Sequence, residues 1–115
     1  MNSDGKAITI EYTPLFVREF KRLAKRYRSL PYDLDALLLS LKDNPLQGSD
    51  LGMDCRKVRM AISSKTKGKS GGARVITCTY FLATEGSLRL LFIYDKSEQQ
   101  SVKKKFLQQM LQELK

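Results

Sequence analysis

The sequence predicts an α+β domain in which a small, mainly antiparallel sheet packs against helices, in the order strand, helix, helix, three antiparallel strands, helix. Three observations carry that prediction. Two stretches in the first half repeat apolar residues at helical spacing, the middle of the chain alternates or runs apolar in short β-branched segments, and the last stretch returns to helical spacing. At 115 residues the chain has room for one core, so residues 1–115 read as a single domain. Hydrophobic residues at 42% and charged residues at 29% place it among globular chains and away from disordered ones.

Ala7 to Tyr12 alternates Ile8, Ile10 and Tyr12 with Thr9 and Glu11, as a short strand does. Thr13 then serves as an N-cap with Pro14 in the first helical position. Phe16, Phe20, Leu23 and Tyr27 make one apolar stripe of the first helix, and basic residues cover the rest of it. A second helix starts around Ser29 and Pro31, faces inward through Leu34, Leu37, Leu38 and Leu41, and ends at Asn44-Pro45. Leu46 to Asp54 reads as a turn-rich linker. Val58, Met60 and Ile62 alternate with Lys57, Arg59 and Ala61 in the next strand. Ala73 to Leu82 and Ser87 to Tyr94 are apolar on both faces and read as central strands, joined by a three-residue turn at Thr84-Glu85-Gly86. Ser97 with Gln100 reads as a capping box, opening a helix whose inward stripe is Val102, Phe106, Met110, Leu111 and Leu114.

Charge narrows the function. The net charge is +9, and residues 51–115 hold 13 Lys/Arg against 5 Asp/Glu, whereas residues 1–50 are nearly balanced at 8 against 7. Between Cys55 and Thr84 stand seven basic residues and no acidic one. Such a cluster suits a polyanion, and in a cytosolic protein the abundant polyanion is nucleic acid; a solvated basic face is the plainer alternative. No stretch has the length of a membrane span and none reads as a secretory signal, so the expectation is a cytoplasmic protein with no membrane partner. With no His and only Cys55 and Cys78, neither a metal site nor a disulfide scaffold is expected, and no small-molecule cofactor is implied. The assumed strand pairing sets Cys78 near Lys57 rather than opposite Cys55, so the two thiols are assigned no function.

Ser63 to Gly72 reads as an exposed loop carrying Lys65, Lys67 and Lys69 among three glycines. Gly68-Lys69-Ser70 resembles the end of a phosphate loop, but the earlier glycine is missing and a strand follows, which argues against nucleotide triphosphate binding. The three-residue turn would place Arg74 opposite Lys96, with Tyr94 one diagonal step away on the same face. Lys67, Lys69, Arg74, Tyr94 and Lys96 would then converge. A His-free group of this kind suits stabilisation of charge on a phosphate while a ribose 2′-hydroxyl attacks it. Arg74 is the natural clamp, Tyr94 would orient the nucleotide, and Lys67, Lys69 or Lys96 could accept the proton. Asp95 reads as a partner of Arg74 or Lys96. Lys57, Arg59, Lys65 and Lys67 are the expected RNA contacts.

Lys67-Gly68-Lys69-Ser70-Gly71-Gly72-Ala73-Arg74-Val75-Ile76, followed by Tyr94-Asp95-Lys96-Ser97-Glu98, resembles the RelE/ParE superfamily of type II toxin-antitoxin toxins, and within it the RelE/HigB branch. The resemblance runs from about Ile8 to the C-terminus. It implies a microbial RNase-like fold, metal-independent cleavage of mRNA in the ribosomal A site, and neutralisation by a cognate antitoxin, often one with a helix-turn-helix domain. It carries the active-site set to Lys67, Lys69, Arg74, Tyr94 and Lys96, of which Lys69, Arg74, Tyr94 and Lys96 are the catalytic candidates. Two alternatives stay open at this point: a ParE-like gyrase-directed toxin without nuclease activity, and a non-enzymatic RNA- or partner-binding module.

Overall fold

The computed structural model describes residues 8–65 and 71–114. The chain forms β1 (Thr9–Tyr12), α1 (Pro14–Arg26), α2 (Leu30–Asp43), β2 (Ser49–Gly52), β3 (Cys55–Met60), β4 (Ala73–Cys78), α3 (Tyr80–Glu85), β5 (Ser87–Asp95) and α4 (Lys104–Gln112). The strands join in one five-stranded sheet in the order β1-β5-β4-β3-β2. β1 runs parallel to β5, and every other pairing is antiparallel. The α1–α2 pair therefore carries the chain from one edge of the sheet to the other, and β2 to β5 return across it. Among the described residues no helix is long and apolar enough to cross a membrane.

Local chemistry sets the ends of α1 as expected. The Thr13 hydroxyl accepts from the Phe16 amide at 3.1 Å and donates to the Leu91 carbonyl at 2.9 Å, so the helix cap also fastens α1 to β5. Phe16, Leu23, Leu34, Leu37 and Leu41 pack on one face of the sheet with Val58, Met60, Val75, Leu90 and Ile93. The opposite face carries a second core of Cys55, Ile76, Cys78, Leu91, Phe92 and Tyr94 under Leu107 and Met110 of α4. Helices thus cover both faces of the sheet.

Four expectations are corrected. The supposed linker Leu46 to Asp54 contains β2, an edge strand. Met53 and Asp54 both have positive φ (56° and 61°), which is the two-residue hairpin turn that matches strand twist, and methionine in that position gives no turn signal. The strand expected to reach Leu82 stops at Cys78, because Tyr80–Glu85 leave the sheet as α3 and end at Gly86 in the left-handed conformation (φ 67°). No three-residue turn joins β4 to β5, because Thr84 and Glu85 belong to α3. With α3 in place of that turn, Thr77 pairs with Leu90, and a bulge between Ile76 and Thr77 shifts the ladder by one position, so Arg74 opposes Tyr94 and not Lys96. Finally, the last helix begins at Lys104, since the Ser97 hydroxyl and amide both donate to Asp95 Oδ1 (2.7 and 2.9 Å) and close a turn instead of capping a helix.

Gly72 sets the approach of β3 to β4. A Cβ there would stand 2.5 Å from the Met60 carbonyl oxygen and 3.2 Å from Ala61 Cα, both backbone. Gly72→Ala is expected to cost about 1–3 kcal/mol, since backbone cannot rotate away as a side chain can. Thermal unfolding reads the effect, and an unchanged midpoint would show that the two strands separate freely.

Candidate functional site

The register builds a row of side chains across three strands. Arg59 on β3 lies opposite Arg74 on β4, which lies opposite Tyr94 on β5, and residues directly opposite share a face. The next same-face row is Lys57, Ile76 and Phe92. Neither row contains a carboxylate.

The Arg59–Arg74 pairing is of the close type. Beside Cys55–Cys78, the Thr79 amide donates to the Asp54 carbonyl at 2.8 Å, which makes that pair the non-hydrogen-bonded kind. The types alternate along a ladder, so Arg59–Arg74, four steps on, is of the same kind, with Cα atoms about 4.5 Å apart. Like charges placed this way destabilise a sheet, so the pair suits an anion between the guanidinium groups. Arg59 is exposed, whereas Arg74 is 6% exposed and donates through Nη1 to the Ala73 carbonyl at 3.1 Å.

Tyr94 is 1% exposed, and among the described residues its hydroxyl has no hydrogen-bond partner. Burial raises its pKa, and Arg74 offsets only part of that. The phenol is therefore neutral near neutral pH, the form that can donate a hydrogen bond. An aromatic series runs back from it: Phe92 lies 6.0 Å from Tyr94, and Phe106 of α4 meets Phe92 edge-on at 5.0 Å. That contact brings the first turn of α4 to the same face. Lys103, Lys104 and Lys105 stand there, at the helix end whose dipole is already positive. The sequence reading missed these three lysines, although their consecutive run was a visible signal of an anion-attracting patch.

The other expected site residues lie as follows. Lys57 is half-buried, two positions along β3 from Arg59 and on the same face. Lys96 follows β5; its amide donates to the Gly72 carbonyl at 3.0 Å, and its Nζ to the Gln100 carbonyl at 3.0 Å and Oε1 at 3.3 Å. Lys65 is drawn to the opposite side of the sheet. Its ammonium donates to Asp95 Oδ1 and the Gly71 carbonyl, each at 2.8 Å. Lys67 and Lys69 lie outside the described residues.

Asp95 is thus the partner of Lys65, not of Arg74 or Lys96. Its carboxylate is fully buried and also accepts from the Tyr27 hydroxyl and from Ser97. Burial alone would raise its pKa, but the donors from Lys65, Tyr27 and Ser97 outweigh it and hold the carboxyl well below the usual range. The carboxylate pins the segment after β3, the C-terminal end of α1 and the turn after β5 to one point. It fixes both strand ends that frame the Arg74–Tyr94 step.

No family model matches the chain, and no curated protein does. Solved structures do. The E. coli toxin RelE in the free state, as a double arginine-to-alanine variant, superposes with a TM-score of 0.61 at 14% identity over 96% of this chain and 100% of that one. The isolated E. coli RelE toxin in a second structure gives 0.58 at 13% identity over 95% and 100%. With its mixed five-stranded sheet and four helices, the chain has a RelE-like fold.

Proposed function

We propose that this protein is the toxin of a type II toxin-antitoxin system, a cytoplasmic mRNA endoribonuclease acting in the ribosomal A site. The observation that carries this reading is the Arg59–Arg74 pair, two directly opposed cations beside the buried phenol of Tyr94, whose hydroxyl has no hydrogen-bond partner among the described residues. In the proposed reaction the ribose O2′ attacks the adjacent phosphorus, the P–O5′ bond breaks, the departing O5′ takes a proton from solvent, and a 2′,3′-cyclic phosphate and a 5′-hydroxyl result. Arg59 and Arg74 hold the phosphate oxygens as charge builds on them, and Tyr94 donates a hydrogen bond to an oxygen of the same linkage. A lysine amine takes the 2′-hydroxyl proton, with Lys57 and Lys96 flanking the row on its two sides. Lys103–Lys105 extend the cationic surface along the RNA, and Lys67 and Lys69 keep their expected role as RNA contacts. Without ribosomes, an antitoxin segment of acidic or helical character covers this face and silences it, and a helix-turn-helix domain elsewhere in that antitoxin fits the family resemblance.

The test is cleavage of mRNA on programmed ribosomes. Expected are products ending in cyclic phosphate, lost when the cleaved nucleotide is 2′-deoxy. Intact mRNA with altered DNA supercoiling in expressing cells would favour gyrase as the target. Salt-dependent RNA binding without cleavage or growth arrest would favour a binding module.

A further inference from the structure

Away from the cationic row, the same face of the sheet holds two thiols and an opening. Cys55 and Cys78 are directly opposite on β3 and β4. The Thr79–Asp54 hydrogen bond beside them makes this the close, non-hydrogen-bonded kind of pair. Its Cα spacing of about 4.5 Å lies inside the range that a disulfide spans without backbone movement. Both are reduced and buried, and Cys55 Sγ also lies 3.5 Å from the Met53 carbonyl. Cys78, 1% exposed, forms part of the wall of a largely apolar cavity of about 450 Å³, with Met53, Asp54, Tyr80, Phe81, Leu111 and Leu114. Cys55 is not in that wall. Cys78 thus borders a space large enough for a small molecule, and Cys55 stands directly opposite it on the neighbouring strand.

We propose that Cys55 and Cys78 form a thiol–disulfide exchange site, entered through this cavity by small, weakly polar disulfides. Cys78 Sγ attacks one sulfur of the incoming disulfide, whose S–S bond breaks and whose first thiolate leaves with the Cys78 proton. Cys55 Sγ then attacks Cys78 Sγ and releases the second thiolate, which takes the Cys55 proton. Two electrons pass from the protein to the reagent: one dithiol and one disulfide become a protein disulfide and two small thiols. The contact between the sulfurs favours this order, since it lowers the pKa of Cys78 and, together with burial, raises that of Cys55. The product ties β3 to β4 four positions, roughly 13 Å, from the Arg59–Arg74 pair, without using any residue of that row.

The experiment treats the folded, reduced chain with dithiodipyridine and follows release of pyridinethione, mass and peptide linkage. Expected for the wild type are two thiones per chain, a mass lower by two hydrogens, a Cys55–Cys78 linked peptide, and a thermal midpoint raised by roughly 10 °C or more. Cys55→Ser should stop at one stable mixed disulfide on Cys78. Cys78→Ser should react in the native state at least about tenfold more slowly than Cys55→Ser, and equally fast once unfolded. Circular dichroism checks that each variant is folded, and the wild-type arm needs no variant. Two stable pyridyl adducts on the wild type, reaction only after unfolding, or equal native reactivity of the two variants would each overturn the proposal.

Discussion

Arg59→Ala should lose most of the mRNA cleavage while leaving the protein as stable as before or slightly more so. Removing one positioned cation from a site that stabilises developing phosphate charge costs about 10²–10³ in rate. The same change removes one of two like charges held at close cross-strand distance, so stability should stay level or rise by up to about 1 kcal/mol. Because Arg59 is exposed, its loss opens no cavity. Opposite signs in the two readouts are what separate an anion-binding pair from a structural one. Cleavage on programmed ribosomes and urea unfolding measure them. Loss of stability in step with activity, or full activity in the variant, would remove the phosphate clamp from the mechanism. Arg74→Ala should lose activity to the same degree, but it is the less clean variant, because the buried stem of Arg74 also packs in the sheet.

The second large effect concerns Asp95. Asp95→Ala leaves the Lys65 ammonium, 15% exposed, without its charge partner and the Tyr27 hydroxyl without its acceptor, which should cost about 3–5 kcal/mol. The depressed pKa of Asp95 adds a pH signature. A carboxyl whose folded pKa lies below its unfolded value near 3.8 contributes stability that is fully present above that value and is lost as pH falls through it toward the folded pKa. The wild type should therefore lose stability steeply below about pH 4. Asp95→Asn, already less stable at neutral pH, should show a shallower decline over the same acid range. Denaturation at a series of acid pH values checks this, and parallel curves for the two proteins would mean that the Asp95 network contributes nothing to acid sensitivity. Ser97 and Gly71, bound to the same carboxylate and ammonium, tie this network to the strand ends that carry Arg74 and Tyr94. Activity should fall with stability here, unlike at Arg59.

Much of this was legible in the chain itself. The Thr13-Pro14 start of α1, the leucine stripe of α2 and the strand character of β3, β4 and β5 follow from side-chain periodicity and capping chemistry, which act over a few residues. Arg74 and Tyr94 share a face as expected, although as direct neighbours and not across a diagonal. What the sequence left undecided was relational. Strand register depends on where a bulge falls and on whether the residues after Cys78 stay in the sheet, and Thr79-Tyr80-Phe81 has strand composition even though α3 begins there. The pairing of Cys55 with Cys78 and the Arg59–Arg74 opposition follow from that register alone. The capture of Lys65 by Asp95 depends on a buried carboxylate thirty positions away, whose preference for the nearest donors no local pattern encodes. Composition and periodicity determined that this chain is a basic α+β domain with cations concentrated in its second half. Which cations face one another, and which are spent holding the sheet together, was decided only by tertiary packing, because hydrogen-bond ladders and buried charge pairing link residues that are distant in the chain.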